Sequence, residues 1–138
     1  MQVQNANSIL FAGVVDPAAR DIDPQAGPDI DQSLAGSPPV DLRILLAHQP
    51  NLAKAAEAHF DLQLSGPTHA GQFFPWSILI RLFQPFAVGL KKWGSLWVYT
   101  NAGTGFWGPP FRLGTTSEIT LIELVAFKNL VNLLAFLF

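Results

Sequence analysis

The sequence predicts an α/β fold, on three observations. Short apolar runs rich in β-branched residues recur along the chain. The segments between them alternate between helix-forming stretches and loops rich in Gly, Pro and Asp. The runs end in polar residues. This is the layout of strands alternating with helices, in which the loops after the strands collect at one edge of the sheet.

The first run, Ser8-Ile-Leu-Phe-Ala-Gly-Val-Val15, is short and is closed by Asp16-Pro17, so a buried strand is expected over 8–15. Residues 16–39 carry Pro17, Pro24, Pro28, Pro38 and Pro39 among many Asp, Gly and Ala. They read as a loop with one short helix around Ile30 to Leu34. A second strand is expected at Arg43–Ala47, and Asn51 is placed to cap a helix over 51–59, rich in Ala, Glu and Lys. Leu62–Leu64 is a third strand, Trp76–Phe83 a helix broken by Pro85, and Ser95–Thr100 a fourth strand. After a Gly/Pro/aromatic loop at 101–114, the alternation over 118–124 predicts a last strand. Val125–Phe138 contains no Gly or Pro and predicts an apolar helix. Its only polar residues, Lys128, Asn129 and Asn132, fall on one side of a helical wheel. The expected architecture is a small mixed sheet of these five strands with flanking helices.

At 138 residues the chain fits one ordinary domain or a large piece of one. Hydrophobic residues make up 49% and charged residues 13%, so the eleven Phe and four Trp must be buried or bind something. A net charge of −2 gives no electrostatic case for nucleic acid. The absence of cysteine excludes disulfides and thiolate metal sites. The start of the sequence has neither the basic nor the apolar region of a signal peptide, and no apolar run reaches the ~20 residues that cross a bilayer. The expected location is cytoplasmic, with the 125–138 stretch a candidate for peripheral contact with a membrane or a partner groove.

Of the three histidines, His48 directly follows the 43–47 strand and His69 lies in a glycine-flanked loop after the 62–64 strand. Strand-end loops can aim two imidazoles at one metal; the alternative is that both hydrogen-bond backbone and cap loops. His59, near the end of the Ala/Glu helix, reads as a solvent-facing residue. Gly103-x-Gly105 has no following helix, since Pro109-Pro110 forbids one, and reads as a turn rather than a phosphate loop. Arg112 offers a planar fork to a phosphate or to a salt bridge. Phe106 and Trp107 read as loop packing.

The run Ile44-Leu-Leu-Ala-His48-Gln-Pro, followed by Asp61-Leu-Gln-Leu-Ser-Gly66-Pro67-Thr68-His69-Ala70-Gly71-Gln72, resembles the calcineurin-like metallophosphoesterases, most closely their bacterial, often membrane-associated branch. The resemblance continues through Phe74-Pro75, Arg81-Leu82, Gln84-Pro85, Gly89-Leu90, Tyr99 and the block Gly103-Thr-Gly-Phe-Trp-Gly-Pro-Pro-Phe-Arg-Leu-Gly114, and it ends at Glu118-Ile-Thr-Leu121. It implies that residues 1–124 correspond to the C-terminal part of a metallophosphoesterase domain, a partial α/β sandwich, with 125–138 as an added apolar helix. In that family two divalent metals (Mn, Zn, Fe or similar) activate a hydroxide that attacks a phosphoester, a two-metal clamp on the transferring phosphoryl. The resemblance implies His48 as a ligand of one metal and His69 as a ligand of the other. Two departures stand out. Pro67 occupies the place of an earlier ligand His and has no lone pair to offer, and Ala70 replaces a usual Gly. The sequence also holds no Asp-x-His, no Gly-Asp and no Gly-Asn-His-Asp/Glu. The expectation is a chain that is inactive alone: either a hydrolase fragment or a split, degenerate subunit that binds an N-terminal-half chain or itself.

Overall fold

In the computed structural model, residues 8–66, 86, 88–105, 116–127 and 130–137 are described. Five strands form one sheet in the order β1-β2-β3-β5-β4, where β1 is Ile9–Gly13, β2 Leu42–Leu46, β3 Leu62–Ser65, β4 Gly89–Trp93 and β5 Leu96–Thr100. β1, β2, β3 and β5 run parallel, with Phe11 opposite Ile44, Leu46 opposite Leu64, and Leu64 opposite Tyr99. β4 pairs antiparallel with β5 and forms the far edge. The four parallel strands therefore bring all their C-terminal ends to one side of the sheet.

The period-2 alternation of each strand divides the core between two faces. On one face Ala12, Leu45, Ala47, Leu96 and Val98 are buried against Ala53 and Ala56, Phe60 and Phe86, with Ile30 and Leu34 packed alongside. Helix α1 (Ile30–Leu34) and helix α2 (Ala53–Ala56) supply this cover. The small alanines of α2 let it sit close to the sheet. Asp29 caps α1 by accepting from the Gln32 N–H at 2.8 Å, and Asp16 caps the 3-10 turn Pro17–Asp21 by accepting from Ala18 N–H at 2.7 Å. On the other face Leu42, Ile44, Leu62 and Tyr99 form a second cluster, against which Ile122 and Leu124 pack. These two belong to β6 (Thr120–Phe127), which pairs antiparallel with β7 (Leu130–Leu137) in a separate two-stranded sheet. The layers are thus helices, five-stranded sheet and hairpin.

The α/β class and the strands expected at 8–15, 43–47, 62–64 and 95–100 agree with the sequence reading, but the structure corrects several particulars. The apolar helix expected over 125–138 is not formed: Val125–Phe127 complete β6 and Leu130–Leu137 are β7. Leu130–Leu137 have a partner eight residues long in Thr120–Phe127, and Val125, Val131, Phe127 and Phe136 suit a pleated surface at least as well as a helix. Pairing along that full length outweighs a weak helical propensity. An interfacial amphipathic helix is thereby removed as the basis of membrane contact. The strand expected at 118–124 starts at Thr120, extends to Phe127 and lies on the face of the main sheet rather than within it. The helix expected over 51–59 is reduced to a 3-10 turn, Pro50–Leu52, followed by α2; Gln49, not Asn51, precedes the turn, and no side chain caps it. Pro50 at the first position fixes the turn without needing a cap. β4 was not anticipated because Lys91-Lys92 lack an apolar period. Its role as an edge explains them, since charged side chains suit an edge strand. The helix expected over 76–83 lies outside the described residues.

Leu45 is fully buried at the centre of the helix-covered face. Leu45→Ala is expected to lower stability by about 2–5 kcal/mol, the range for a leucine whose cavity cannot collapse. Urea denaturation followed by circular dichroism measures it.

Candidate functional site

The parallel topology sets Val14-Val15-Asp16 after β1, Ala47-His48-Gln49 after β2, Ser65-Gly66 after β3 and Asn101-Ala102-Gly103 after β5, all at the C-terminal edge where α/β sheets place their ligand sites. Adjacent loops are stitched by backbone bonds. Gly66 N–H donates to the His48 carbonyl at 3.1 Å, and Asn101 N–H donates to the Ser65 carbonyl at 3.2 Å. His48 is exposed, and its imidazole lies directly over Gly66. A Cβ built on Gly66 would stand 2.4 Å from His48 Nδ1, closer than any real Cβ contact. Glycine is required here for close approach rather than for an unusual backbone angle.

Beneath the His48 loop runs a polar chain. Gln63, buried in the middle of β3, donates through Nε2 to the Gln49 carbonyl at 3.2 Å and to Ser65 Oγ at 2.9 Å. Gln49 Nε2 donates to Asp16 Oδ1 at 3.1 Å. The ends of β1, β2 and β3 are tied together by side chains that the sequence reading passed over. Gln63 Oε1 and Thr100 Oγ1 are buried with no hydrogen-bond partner among the described residues, an uncommon state for interior polar atoms.

A second cluster sits at the end of β5. Glu118 accepts through Oε2 from the Ala102 N–H at 2.9 Å and through Oε1 from the Tyr99 hydroxyl and from Thr120 Oγ1. The backbone closes the same contact, since Glu118 N–H donates to the Gly103 carbonyl at 3.1 Å. Asn101 Nδ2 donates to Thr120 Oγ1 at 3.3 Å, and Asn101 Oδ1 accepts from Gly103 N–H at 2.6 Å. Gly103 takes φ of 76°, so the Gly103-x-Gly105 turn is held by this cluster, in agreement with its structural reading. Burial and the neighbouring Glu118 carboxylate push the Tyr99 phenol above its ordinary value, so it stays a proton donor. For Glu118, burial alone would raise the carboxyl, but hydrogen bonds from Thr120, Tyr99 and the Ala102 N–H together outweigh it and lower the value.

His59 is half-buried in the turn after α2, away from the strand ends. His69, Pro67 and Arg112 lie outside the described residues. Among the described residues no three His, Asp or Glu side chains converge to hold a metal ion. They offer one imidazole at the edge, while Asp16 is already occupied by Ala18 N–H and Gln49. The described residues therefore do not by themselves fit a two-metal centre.

An uncharacterised metallophosphoesterase of Helicobacter pylori strain J99 is 43% identical over 120 residues, covering 85% of this chain and 32% of that protein. The chain matches a C-terminal part of the metallophosphoesterases. A transmembrane protein with a metallophosphoesterase domain from Danio rerio is 44% identical to this chain over 121 residues, covering 84% of the chain and 28% of the relative. A putative metallophosphoesterase of Caenorhabditis elegans is 33% identical over 129 residues, or 87% of the chain and 27% of the relative. The segment thus spans about a third of the length of the curated relatives it matches. No family profile matches it, and no solved structure does. Among the described residues no helix is long and apolar enough to cross a membrane.

The Glu118 cluster yields a pH test. A carboxyl whose folded value is depressed stabilises the fold above its unfolded value and loses that contribution as pH falls through the folded value. Glu118→Gln is therefore expected to lower stability at pH 7 by less than about 1 kcal/mol, because solvent screens a largely exposed carboxylate. The gap between variant and parent should close as pH drops below the ordinary carboxyl value of 4.5. Urea midpoints at pH 7 and pH 3.5 measure it. In a second test, Gly66→Ala should displace the His48 ring, seen as a change in its imidazole proton shifts with the fold retained.

Proposed function

We propose that this chain is the part of a metal-dependent phosphoester hydrolase that contributes histidines to the metal centre, and that it does not turn over substrate alone. The observation that carries the reading is the match to metallophosphoesterases over 85% of the chain at 43% identity. The placement of His48 at the C-terminal edge of β2, over a glycine that only close approach requires, supports it. In this reading His48 and His69 are the metal ligands this chain carries, and Arg112 is a contact for the substrate phosphate.

Inactivity in isolation follows from ligand chemistry. A divalent pair needs carboxylate charge to offset the loss of its hydration, and two imidazoles supply none. The convergent acids are absent among the described residues, and Pro67 stands where another imidazole is expected. The remaining ligands come from sequence outside these 138 residues, whether in the same polypeptide or in a partner chain. The second reading is a degenerate subunit kept as a binding module for such a partner, and Pro67 favours it.

The purified chain is expected to show no phosphodiesterase or phosphatase turnover above buffer with manganese, zinc or nickel. Pro67→His should leave it inactive, while adding the complementary part of a relative, fused or in trans, should give turnover that His48→Ala or His69→Ala lowers by at least about 100-fold, as for loss of a metal ligand. Turnover by the unaltered chain that His69→Ala abolishes would overturn inactivity. A complemented enzyme indifferent to both histidines would overturn the ligand assignment. Activity restored only when Pro67→His is also present would decide for the degenerate module.

A further inference from the structure

Gln63 sits where an apolar residue is the rule. Its register partners on β2 and β5 are Leu45 and Val98, both fully buried on the helix-covered face. A parallel strand covered on both faces is ordinarily an unbroken apolar run. Gln63 is itself fully buried there, and its Oε1 has no hydrogen-bond partner among the described residues. An amide in that state is costlier to keep than a methionine of similar volume. Filling the core does not account for it, but the two bonds it makes do.

Both bonds leave from Nε2, and both reach residues that adjoin the His48–Gly66 contact. One goes to the carbonyl of Gln49, the residue after His48, at 3.2 Å, and the other to Oγ of Ser65, the residue before Gly66, at 2.9 Å. The Gly66 N–H closes the circuit on the His48 carbonyl at 3.1 Å. A carbonyl only accepts, so the amide must turn its nitrogen toward Gln49 and its orientation is settled. The Gln49 carbonyl also accepts from the Leu52 N–H, at the longer distance of 3.4 Å. Little slack lies between this anchor and the imidazole. Gln49 precedes Pro50, which confines it to the extended region, and it takes φ −93° and ψ 125°. Its own side chain is held by Asp16 at 3.1 Å.

We infer that Gln63 is a positioning residue, whose amide fixes the His48 imidazole over Gly66 by holding the two flanking loops at a set spacing. Its weight in function rests on the reading of His48 proposed above. Without the donor, the ties left between the loops run from Ala47 N–H to the Leu64 carbonyl and from Gly66 N–H to the His48 carbonyl. These continue the ladder of the sheet. They hold register, while the Gln49 carbonyl keeps only its longer bond to Leu52 and the peptide between His48 and Gln49 gains room to turn.

Gln63→Met, close in volume and without a donor, tests this by nuclear magnetic resonance of the whole 138-residue chain. In the unaltered chain the His48 ring protons should cross-relax strongly with the Gly66 α-protons. Gln63→Met should weaken that signal roughly fivefold, the inverse-sixth-power effect of a ring about 1 Å looser over a ~3 Å contact. The edge-to-face contact of Phe86 and Trp93, at 5.7 Å between ring centres, should keep its own signals. A residue that only filled the core would leave His48 unmoved, since methionine fills it too. Should Gln63→Met not fold, Ser65→Ala carries the test, because it removes one of the amide's two acceptors and should weaken the same signal by a smaller factor. A His48–Gly66 signal unchanged in the folded variant would overturn the inference. So would a loss shared equally by Phe86 and Trp93, which would make the defect one of general packing. His48→Ala in the complemented protein judges the other reading separately: activity that survives it removes His48 from the site, while the ring measurement still decides whether Gln63 holds the imidazole.

Discussion

Parallel pairing of β1, β2, β3 and β5 is the constraint on which the rest of this structure depends. Because the strands share a direction, their ends share an edge, and every strand-end loop must be arranged beside the next. Backbone bonds from Gly66 to His48 and from Asn101 to Ser65 make that arrangement rigid. The helices answer to the same constraint. A parallel sheet leaves no short return path, so its crossovers run over a face, and α1 and α2 cover the face they cross. The opposite face is left for the β6–β7 hairpin, which the chain reaches only after its last sheet strand.

Two polar assemblies then differentiate the edge. One, from Asp16 through Gln49 and Gln63 to Ser65, lies under the His48 loop and joins three strands. The other, centred on Glu118, fastens the loop after β5 to the start of β6. Both replace the apolar contacts that such loops lack. Tyr99 is kept a donor and Glu118 an acceptor by the same short set of contacts.

Much of this was legible in the sequence where the signal was local. The runs at 8–15, 43–47, 62–64 and 95–100 carried their strands because a buried parallel strand is a short apolar block, and the short helix around Ile30 to Leu34 is α1. What was missed depended on partners distant in the chain. β4 reads as a polar connection until β5 stands beside it. The 125–138 stretch has equal claim to helix or strand, and only the pairing of Leu130–Leu137 with Thr120–Phe127 decides between them. For the site, the position of His48 followed from strand and loop boundaries. The buried amide of Gln63 and the reach of Glu118 across 16 residues to Ala102 had no periodic or motif signal of their own. The family block that ends at Glu118-Ile-Thr-Leu121 contained that glutamate without indicating its task.

The Glu118 tether has a mechanical consequence. β6 meets the main sheet through Ile122 and Leu124 and through the Tyr99–Glu118–Thr120 group, so the hairpin is a candidate for opening as a unit without unfolding the sheet. Such an opening withdraws the carboxylate from the Ala102 N–H and the Glu118 N–H from the Gly103 carbonyl in one movement. The loop after β5 would then be only as ordered as the hairpin is closed. Anything that clamps the hairpin would quiet that loop from the far side of the sheet, and anything that pries it away would loosen the edge without touching a residue there.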